Sequence, residues 1–343
     1  MIWTNLFKLP APFAHLVSED LYHEEREKQL VTYCSRNGLD RTKVVHYSAS
    51  DLIKPPRIRV LIKRHDAELI CDVSSHVYRV LGTAVHTVLR LSANRMQAKG
   101  IEGYIAEERQ FTHSTVDGRV VVVSGEPDLV TPDGVLHDYK VTGVSALDKG
   151  VKTEWEQATN IYAWLRALQG LKTKGIQIVF ILRDWFRAKT VVEGYPPAPA
   201  DTMDVQVWSD EHTQEFVANR TLAHLAAESL EDDALPECSP MEMWEKPESW
   251  AVIREGGARA AKVYRLEDFP LGTTGGVLEM AAQSDMVLRN DKKAKKDKPY
   301  VVEHRPGERT RCEFFCDARP VCSQFKEYAA ASYGKIEAST EAA

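Results

Sequence analysis

The chain has 343 residues, 43% of them hydrophobic and 27% charged, and a formal net charge of −6. That balance is the one expected of a water-soluble globular protein with one large core or two modest ones. It excludes a membrane-spanning helix, because no apolar run reaches about eighteen residues, and it excludes indiscriminate coating of nucleic acid, although not a local basic groove.

The opening Met-Ile-Trp-Thr-Asn-Leu-Phe-Lys lacks the charged start and apolar centre of a signal peptide, so a cytoplasmic setting is expected. Six cysteines in such a setting are not a disulfide framework. Residues 1–45 form a helical N-terminal extension, with a helix from about Ser18 to Ser35 and no visible chemistry. Ser50 or Asp51 offers a helix cap, and Pro55-Pro56 ends any helix there. Arg57, Arg59 and Lys63, with apolar residues between them, read as a solvated amphipathic helix.

Residues 80–98 read as a helix, with Leu81, Ala84, Val85, Val88 and Leu91 at helical spacing. Its start, Gly82-Thr83-Ala84-Val85-His86, places a small residue where backbone approaches closely. Tyr104–Thr112 and Arg119–Ser124 read as strands around a Thr115-Val116-Asp117-Gly118 turn. Glu107 shares a face with Ile105 and Phe111, which makes it the acidic residue of this region that could aid a metal or form a salt bridge.

Residues 125–143 then form a hairpin. Two short apolar runs flank a Thr-Pro-Asp-Gly turn. Asp128 lies on the first arm, and Asp138 and Lys140 share one face of the second. Two carboxylates and an ammonium converging there fit a hard divalent cation with a polarised water beside it. A second helix covers 153–169, with Gln157, Asn160 and Tyr162 on it. A buried strand follows over 177–186, and a further helix over 209–232 with Ser209 as its cap.

The character changes near Leu235. Residues 233–331 carry a modest basic patch at 254–265, a sharper one at 291–298, and Cys312, Cys316 and Cys322. Three cysteines within eleven residues of a polar, proline-interrupted segment are a metal signal. A closed site needs a fourth ligand, and Cys238 is the remaining cysteine of the C-terminal half. Cys34 and Cys71 lie in helical surroundings and read as structural. Residues 332–343, small and polar, read as a disordered tail.

The order Pro127-Asp128, nine residues, then Asp138-Tyr139-Lys140 resembles the PD-(D/E)XK nucleases. The Gly-Thr-Ala-Val-His string resembles the first motif of their RecB-like branch. With the C-terminal cysteines, the likeness extends to bacteriophage nucleases related to the CRISPR-associated iron–sulfur nucleases, over roughly residues 44–325. The resemblance implies an α/β fold with an αβββαβ nuclease core over 46–232 and a C-terminal cysteine-cluster segment.

It also implies an activity, a Mg²⁺- or Mn²⁺-dependent DNA exonuclease. Asp128, Asp138 and Lys140 would be catalytic, with metal held by His86, Asp128, Asp138 and the main-chain carbonyl of Tyr139. Gln157 and Tyr162 would line the site, although the family glutamine stands four residues before the tyrosine, where this chain has Ala158, and Arg57, Arg59 and Lys63 would lie beside the DNA path as phosphate contacts. Cys238, Cys312, Cys316 and Cys322 would hold a [4Fe–4S] cluster, or Zn²⁺ by the altered spacing. The implied partners are DNA ends, single- or double-stranded, and a single-strand-annealing or single-strand-binding protein in phage recombination or replication, with no membrane. The alternatives are a DNA-end-binding scaffold that has lost catalysis and a sequence-specific restriction endonuclease, which would need neither His86 nor the cysteines.

Overall fold

The structure is a computed structural model that describes every residue except 1, 5, 19–22, 102–108, 271, 292–297 and 341–343. Glu107 therefore lies outside the described residues, as do most of the lysines of the 291–298 run. The chain divides into two compact units, Met1–Leu235 and Pro236–Ala343. Both mix helices with small sheets. No helix among the described residues is long and apolar enough to cross a membrane.

The first unit contains, in order, β1 (Ile2–Thr4), α1 (Ala11–Ser18), α2 (His23–Arg36), β2 (Val45–Ser48), α3 (Ala49–Leu52), α4 (Pro56–His65), β3 (Ile70–Asp72) and α5 (Val77–Ala98). Then come β4 (Gln110–Val116), β5 (Arg119–Gly125), β6 (Leu129–Val130), β7 (Val135–Thr142), α6 (Thr153–Ala167), β8 (Gly175–Leu182), β9 (Ala200–Val205) and α7 (Asp210–Ala227). The helix–strands–helix–strand order expected from sequence is present. Its strands are split between two sheets, however, one ordered β2-β5-β4 and the other β6-β7-β8-β9.

Local chemistry explains the elements. Asp117 and Gly118 both have positive φ, 48° and 71°, the two-residue turn that matches the twist of an antiparallel pair, and β4 and β5 pair accordingly from Val116↔Arg119 to Gln110↔Gly125. Ser48, rather than Ser50 or Asp51, caps α3: its side chain accepts from the Asp51 N–H, and the Asp51 carboxylate accepts from the Ser48 N–H, a reciprocal capping box. Ser209 caps α7 by accepting from the His212 N–H. β8 alternates buried and half-buried residues along its length, as a strand covered more fully on one face does.

α6 holds the two sheets together. Ile161, Trp164 and Leu165 pack with Tyr47, Val121 and Val123 of the first sheet. Ala163 packs with Leu136, Ile176, Ile178 and Phe180 of the second. Each fully buried side chain of this size contributes roughly 1.5–3 kcal/mol. The chain crosses from one sheet to the other through Gly125-Glu126-Pro127-Asp128, beneath α6. Residues 1–45 are not a separate body: Leu30 and Cys34 of α2 pack on Val122, on the opposite face of the first sheet.

The second unit contains β10 (Glu245–Lys246), β11 (Ser249–Arg254), β12 (Ala260–Arg265), α8 (Gly275–Asp291), β13 (Tyr300–Arg305), β14 (Glu308–Arg309), α9 (Thr310–Phe314) and α10 (Ser323–Thr340). A three-stranded antiparallel sheet, β12-β11-β13, packs Trp250, Val252 and Tyr264 on Leu278 and Ala282 of α8. α10 continues into residues 332–340, where composition predicts a disordered tail; the alanines and glutamate there are good helix formers.

Candidate active site

The hairpin forms as the sequence predicts. β6 and β7 pair through Leu129↔His137 and Val130↔Leu136, and Gly134 closes the turn at φ 86°. Parallel pairing of β7 with β8 sets Asp138 opposite Ile178 and Lys140 opposite Phe180. Asp128, just before β6, is thereby brought back alongside Tyr139, whose N–H donates to Asp128 Oδ2 at 2.8 Å. From α5, His86 reaches across, with Nδ1 2.6 Å from Asp128 Oδ1. The Lys140 ammonium is in contact with Asp138 Oδ2.

These groups share a cavity of about 510 Å³, lined among others by His86, Asp128, Asp138, Lys140 and Tyr162. The Asp138 side chain is 6% exposed and that of Lys140 27%. Burial pushes the Asp138 carboxyl pKa up, with the Lys140 charge opposing and Asp128 adding to the rise. For His86, burial alone would lower the pKa, but the hydrogen bond to Asp128 and its charge outweigh burial, and the net shift is upward. Tyr162 is driven upward by burial first, then by the charges of Asp138 and Asp128. Each of the two acids thus has one basic side chain against it, His86 on Asp128 and Lys140 on Asp138.

Gly125 is needed for close approach. A Cβ there would stand 2.6 Å from Tyr162 Cδ1 and 2.9 Å from Leu165 Cδ1, so any side chain would lift α6 from the crossing between the sheets. Gly82 has no such role, because nothing lies within 4 Å of where its Cβ would be; α5 starts five residues earlier, at Val77, and passes Gly82 with room to spare.

The structure also brings in residues that sequence reasoning missed. Glu126 accepts from Arg90 Nη1 and from Arg109 Nη2, both at 2.8 Å. Arg109 also donates to Ser124 Oγ at 3.3 Å. Arg79, Arg90, Arg109, Ser48 and Ser124 all line the cavity. A signal for part of this was present: Arg79, Thr83, His86, Thr87 and Arg90 recur at helical spacing, a polar stripe on an otherwise apolar helix. Glu126 sits inside the hairpin string itself.

Other expected site residues lie elsewhere. Gln157 is half-buried and does not line the cavity. The position one helical turn before Tyr162 belongs to Ala158, which is buried, and one residue's offset rotates a side chain about 100°. Asn160 is a structural anchor, donating to the carbonyls of Glu156 and Gln206 and accepting from the Trp208 N–H. Arg57, 2% exposed, donates to the Leu235 carbonyl at 2.5 Å and is not available to a phosphate.

The donor chemistry of the cavity, two carboxylates and an imidazole, suits a hard divalent cation. Asp138 Oδ2 is buried with no hydrogen-bond partner beyond its contact with the Lys140 ammonium. Nonetheless, no three His, Cys, Asp or Glu side chains among the described residues are gathered so that they could hold a metal as they stand. His86 is turned onto Asp128 and Lys140 onto Asp138, and a cation there would exchange places with those internal charges.

In the second unit Cys312, Cys316 and Cys322 lie near enough to Cys238 to act on its charge, but no three of these side chains are gathered so that they could hold a metal as they stand. Cys238 is pinned beside the start of α10 by two hydrogen bonds with Gln324: its N–H donates to Oε1 and its carbonyl accepts from Nε2, both at 2.9 Å. Burial pushes the Cys238 thiol up to about 12, and Cys322, Cys316 and Cys312 each add to the rise. Cys316 rises to about 11, from burial and then from Cys312 and Cys322. None of the six cysteines is in a disulfide. Cys34 and Cys71 are buried, Cys34 within the packing of α2 on the first sheet.

No family model matches the chain, and no curated protein matches it significantly. Among solved structures it is similar to the crystal structure of SSO0001, at 17% identity and a TM-score of 0.37, over 61% of this chain and 86% of that one. A likeness that loose carries no argument, so the site stands on its own geometry.

Proposed function

We propose that the chain is a divalent-metal-dependent DNA exonuclease of the PD-(D/E)XK kind. The observation that carries this reading is the meeting of His86, Asp128, Asp138 and Lys140 in one cavity that arginines also line. Asp128, Asp138 and the Tyr139 carbonyl, with His86, would hold Mg²⁺ or Mn²⁺, which supplies Lewis acidity and lowers the pKa of water.

The chain's own residues do the rest. Asp128, fixed by the Tyr139 N–H and His86, keeps one carboxylate oriented at the second sheet's end of the crossing. Lys140, steadied by Asp138, orients the attacking water and balances charge developing on the phosphorus. Arg90 and Arg109, spread on Glu126 like a fork, present guanidinium groups to the neighbouring phosphate. Tyr162, kept neutral by burial, closes the floor and excludes water.

Cys238, Cys312, Cys316 and Cys322 are proposed as ligands of a [4Fe–4S] cluster, with Zn²⁺ as the alternative. What supports this is that burial, with nearby cysteines adding, raises the pKa of Cys238, Cys316 and Cys312, so that a cation would be needed to ionise them together. DNA ends are the proposed substrate, with a single-strand-annealing or single-strand-binding protein as partner in phage recombination or replication. The deciding assay incubates purified protein with end-labelled linear DNA and covalently closed circular DNA, in Mg²⁺, Mn²⁺ or EDTA. Metal-dependent loss of the linear DNA alone is expected, and linear DNA that survives both metals would overturn the reading.

A further inference from the structure

A second cleft in the first unit has no part in the chemistry above. It measures about 390 Å³ and is lined by Arg41, Lys43, His46, Arg59, Lys63 and Arg119, with Thr42, Val44 and Val45 between them. Among the described residues, five cations here meet three carboxylates: Glu27 on Arg41, Asp40 on Lys43, and Glu228 shared by Arg59, Lys63 and Arg119. His46 does not change that balance at neutral pH, since burial lowers its pKa to about 4. A positive surplus therefore remains, in a chain whose net charge is −6.

The cleft is also organised. Arg59 lies 4.4 Å over the ring of Tyr47 and donates to Glu228 Oε1 at 2.9 Å, and Arg119 donates to Oε2 at 3.0 Å. Each guanidinium has five N–H groups, so one bond to Glu228 leaves most of its donors for another anion. Lys43 and Lys63 stand at the rim with side chains 82% and 67% exposed. Their pairs with Asp40 and Glu228 are long, 3.4 and 3.9 Å, and at such exposure contribute little.

Its position gives it a meaning. Val45 and Arg119 are at the N-terminal ends of β2 and β5; Ser48 and Ser124, at their C-terminal ends, line the catalytic cavity. A single hydrogen bond, His46 Nε2 to Ser124 Oγ at 2.9 Å, joins the wall of one cavity to the wall of the other. Three to five strand residues separate them, or about 10–17 Å. That is roughly three to five phosphates along one strand of a duplex.

We propose that this cleft binds the phosphodiester backbone of DNA a few nucleotides away from the bond being cut. The proposal rests on the nuclease reading for its substrate. The recognised chemistry is phosphate, and an open row of cations along the end of a sheet suits a chain of diesters better than one compact anion.

The test measures binding in EDTA, so that it does not depend on cleavage. Fluorescence anisotropy with labelled single-stranded and duplex DNA of about 20 nucleotides is run across a salt series for wild type and for Lys43→Gln/Lys63→Gln. The double variant should bind about tenfold more weakly, with the slope of log K against log salt smaller by about 2 for the duplex. Glu228→Gln, which removes the shared carboxylate charge, should bind more tightly, the opposite sign from the same cleft. Unchanged affinity and slope in the lysine variant would overturn the proposal, as would wild type that binds no DNA. Calorimetry with inorganic pyrophosphate separates the other phosphate source: pyrophosphate binding that is lost in the lysine variant while DNA affinity is unchanged would assign the cleft to a small phosphate compound instead. Wild type that binds DNA in EDTA but cleaves none in metal would sink the nuclease reading and leave this one standing.

Discussion

The charged cavity of the first unit and the cysteine group of the second are opposite arrangements of titratable side chains. In the cavity each acid has a cation of its own: His86 on Asp128, Lys140 on Asp138, and Arg90 with Arg109 on Glu126. Such a site keeps its geometry without any bound group, because the internal pairs offset the cost of burying charge. The cysteines are four groups of one kind; burial above all raises the pKa of Cys238, Cys316 and Cys312, and nearby cysteines add to the rise. Ionising such thiols together would take a bound cation. Complementary pairing holds a charged site together by itself, whereas like groups would need a ligand to do so.

The largest effect expected from breaking this contrast is at Asp138. Asp138→Ala should reduce single-turnover cleavage of end-labelled DNA by about a thousandfold or more, with thermal stability close to wild type, since the partner left behind, Lys140, is 27% exposed and can turn to water. Near-normal cleavage by contaminant-free Asp138→Ala protein would remove the hairpin from the chemistry.

Next comes the ligand-dependence of the second unit. Cys316→Ser, or stripping of metal by a chelator, should lower the stability of residues 236–343 by several kcal/mol, about ten degrees or more in Tm. Hydrogen exchange should show the first unit little changed, because its charges are already paired. Equal protection of the second unit with and without its metal would make the cysteines ordinary buried thiols.

Acid should act on the first unit through two histidines. Burial above all lowers His46 to about 4, with Arg109 and Arg41 adding and Asp51 opposing. Burial, Arg220 and Arg59 lower His224 to about 4. The unfolded chain takes up these protons near pH 6.5. Stability is therefore complete above 6.5 and declines as pH falls from 6.5 to 4, by up to about 3 kcal/mol for each histidine. Denaturation midpoints measured against pH should fall less steeply in that window for His224→Leu. A variant curve parallel to wild type would show that His224 is not a buried neutral group.

The smallest of these effects is steric. Gly125→Ala places a methyl 2.6 Å from Tyr162, and relief requires α6 to shift, at about 1–3 kcal/mol. Cleavage should fall more than stability, because the same shift moves Tyr162 in the cavity floor. Wild-type rates and Tm in Gly125→Ala would mean that the crossing tolerates displacement.

The local parts were legible because they are written in neighbouring residues. The turns at Asp117-Gly118 and Thr131–Gly134, the shared face of Asp138 and Lys140, and the apolar period of the helix bearing His86 follow from backbone preferences and side-chain alternation alone. The Asp128–Asp138–Lys140 set could be singled out because one hairpin carries it. What sequence periodicity could not supply was the division of the strands into two sheets, which depends on α6 packing against both. It could not foresee that Glu126 gathers arginines from α5 and from the start of β4, nor that Arg57 is spent on a buried carbonyl. Nor could it show that Gln324, 86 residues on, fastens Cys238 at the start of α10. The physical reason is the same in each case: a short-range pattern dictates which way a side chain faces, but which distant charge or backbone group meets it is decided when the cores close.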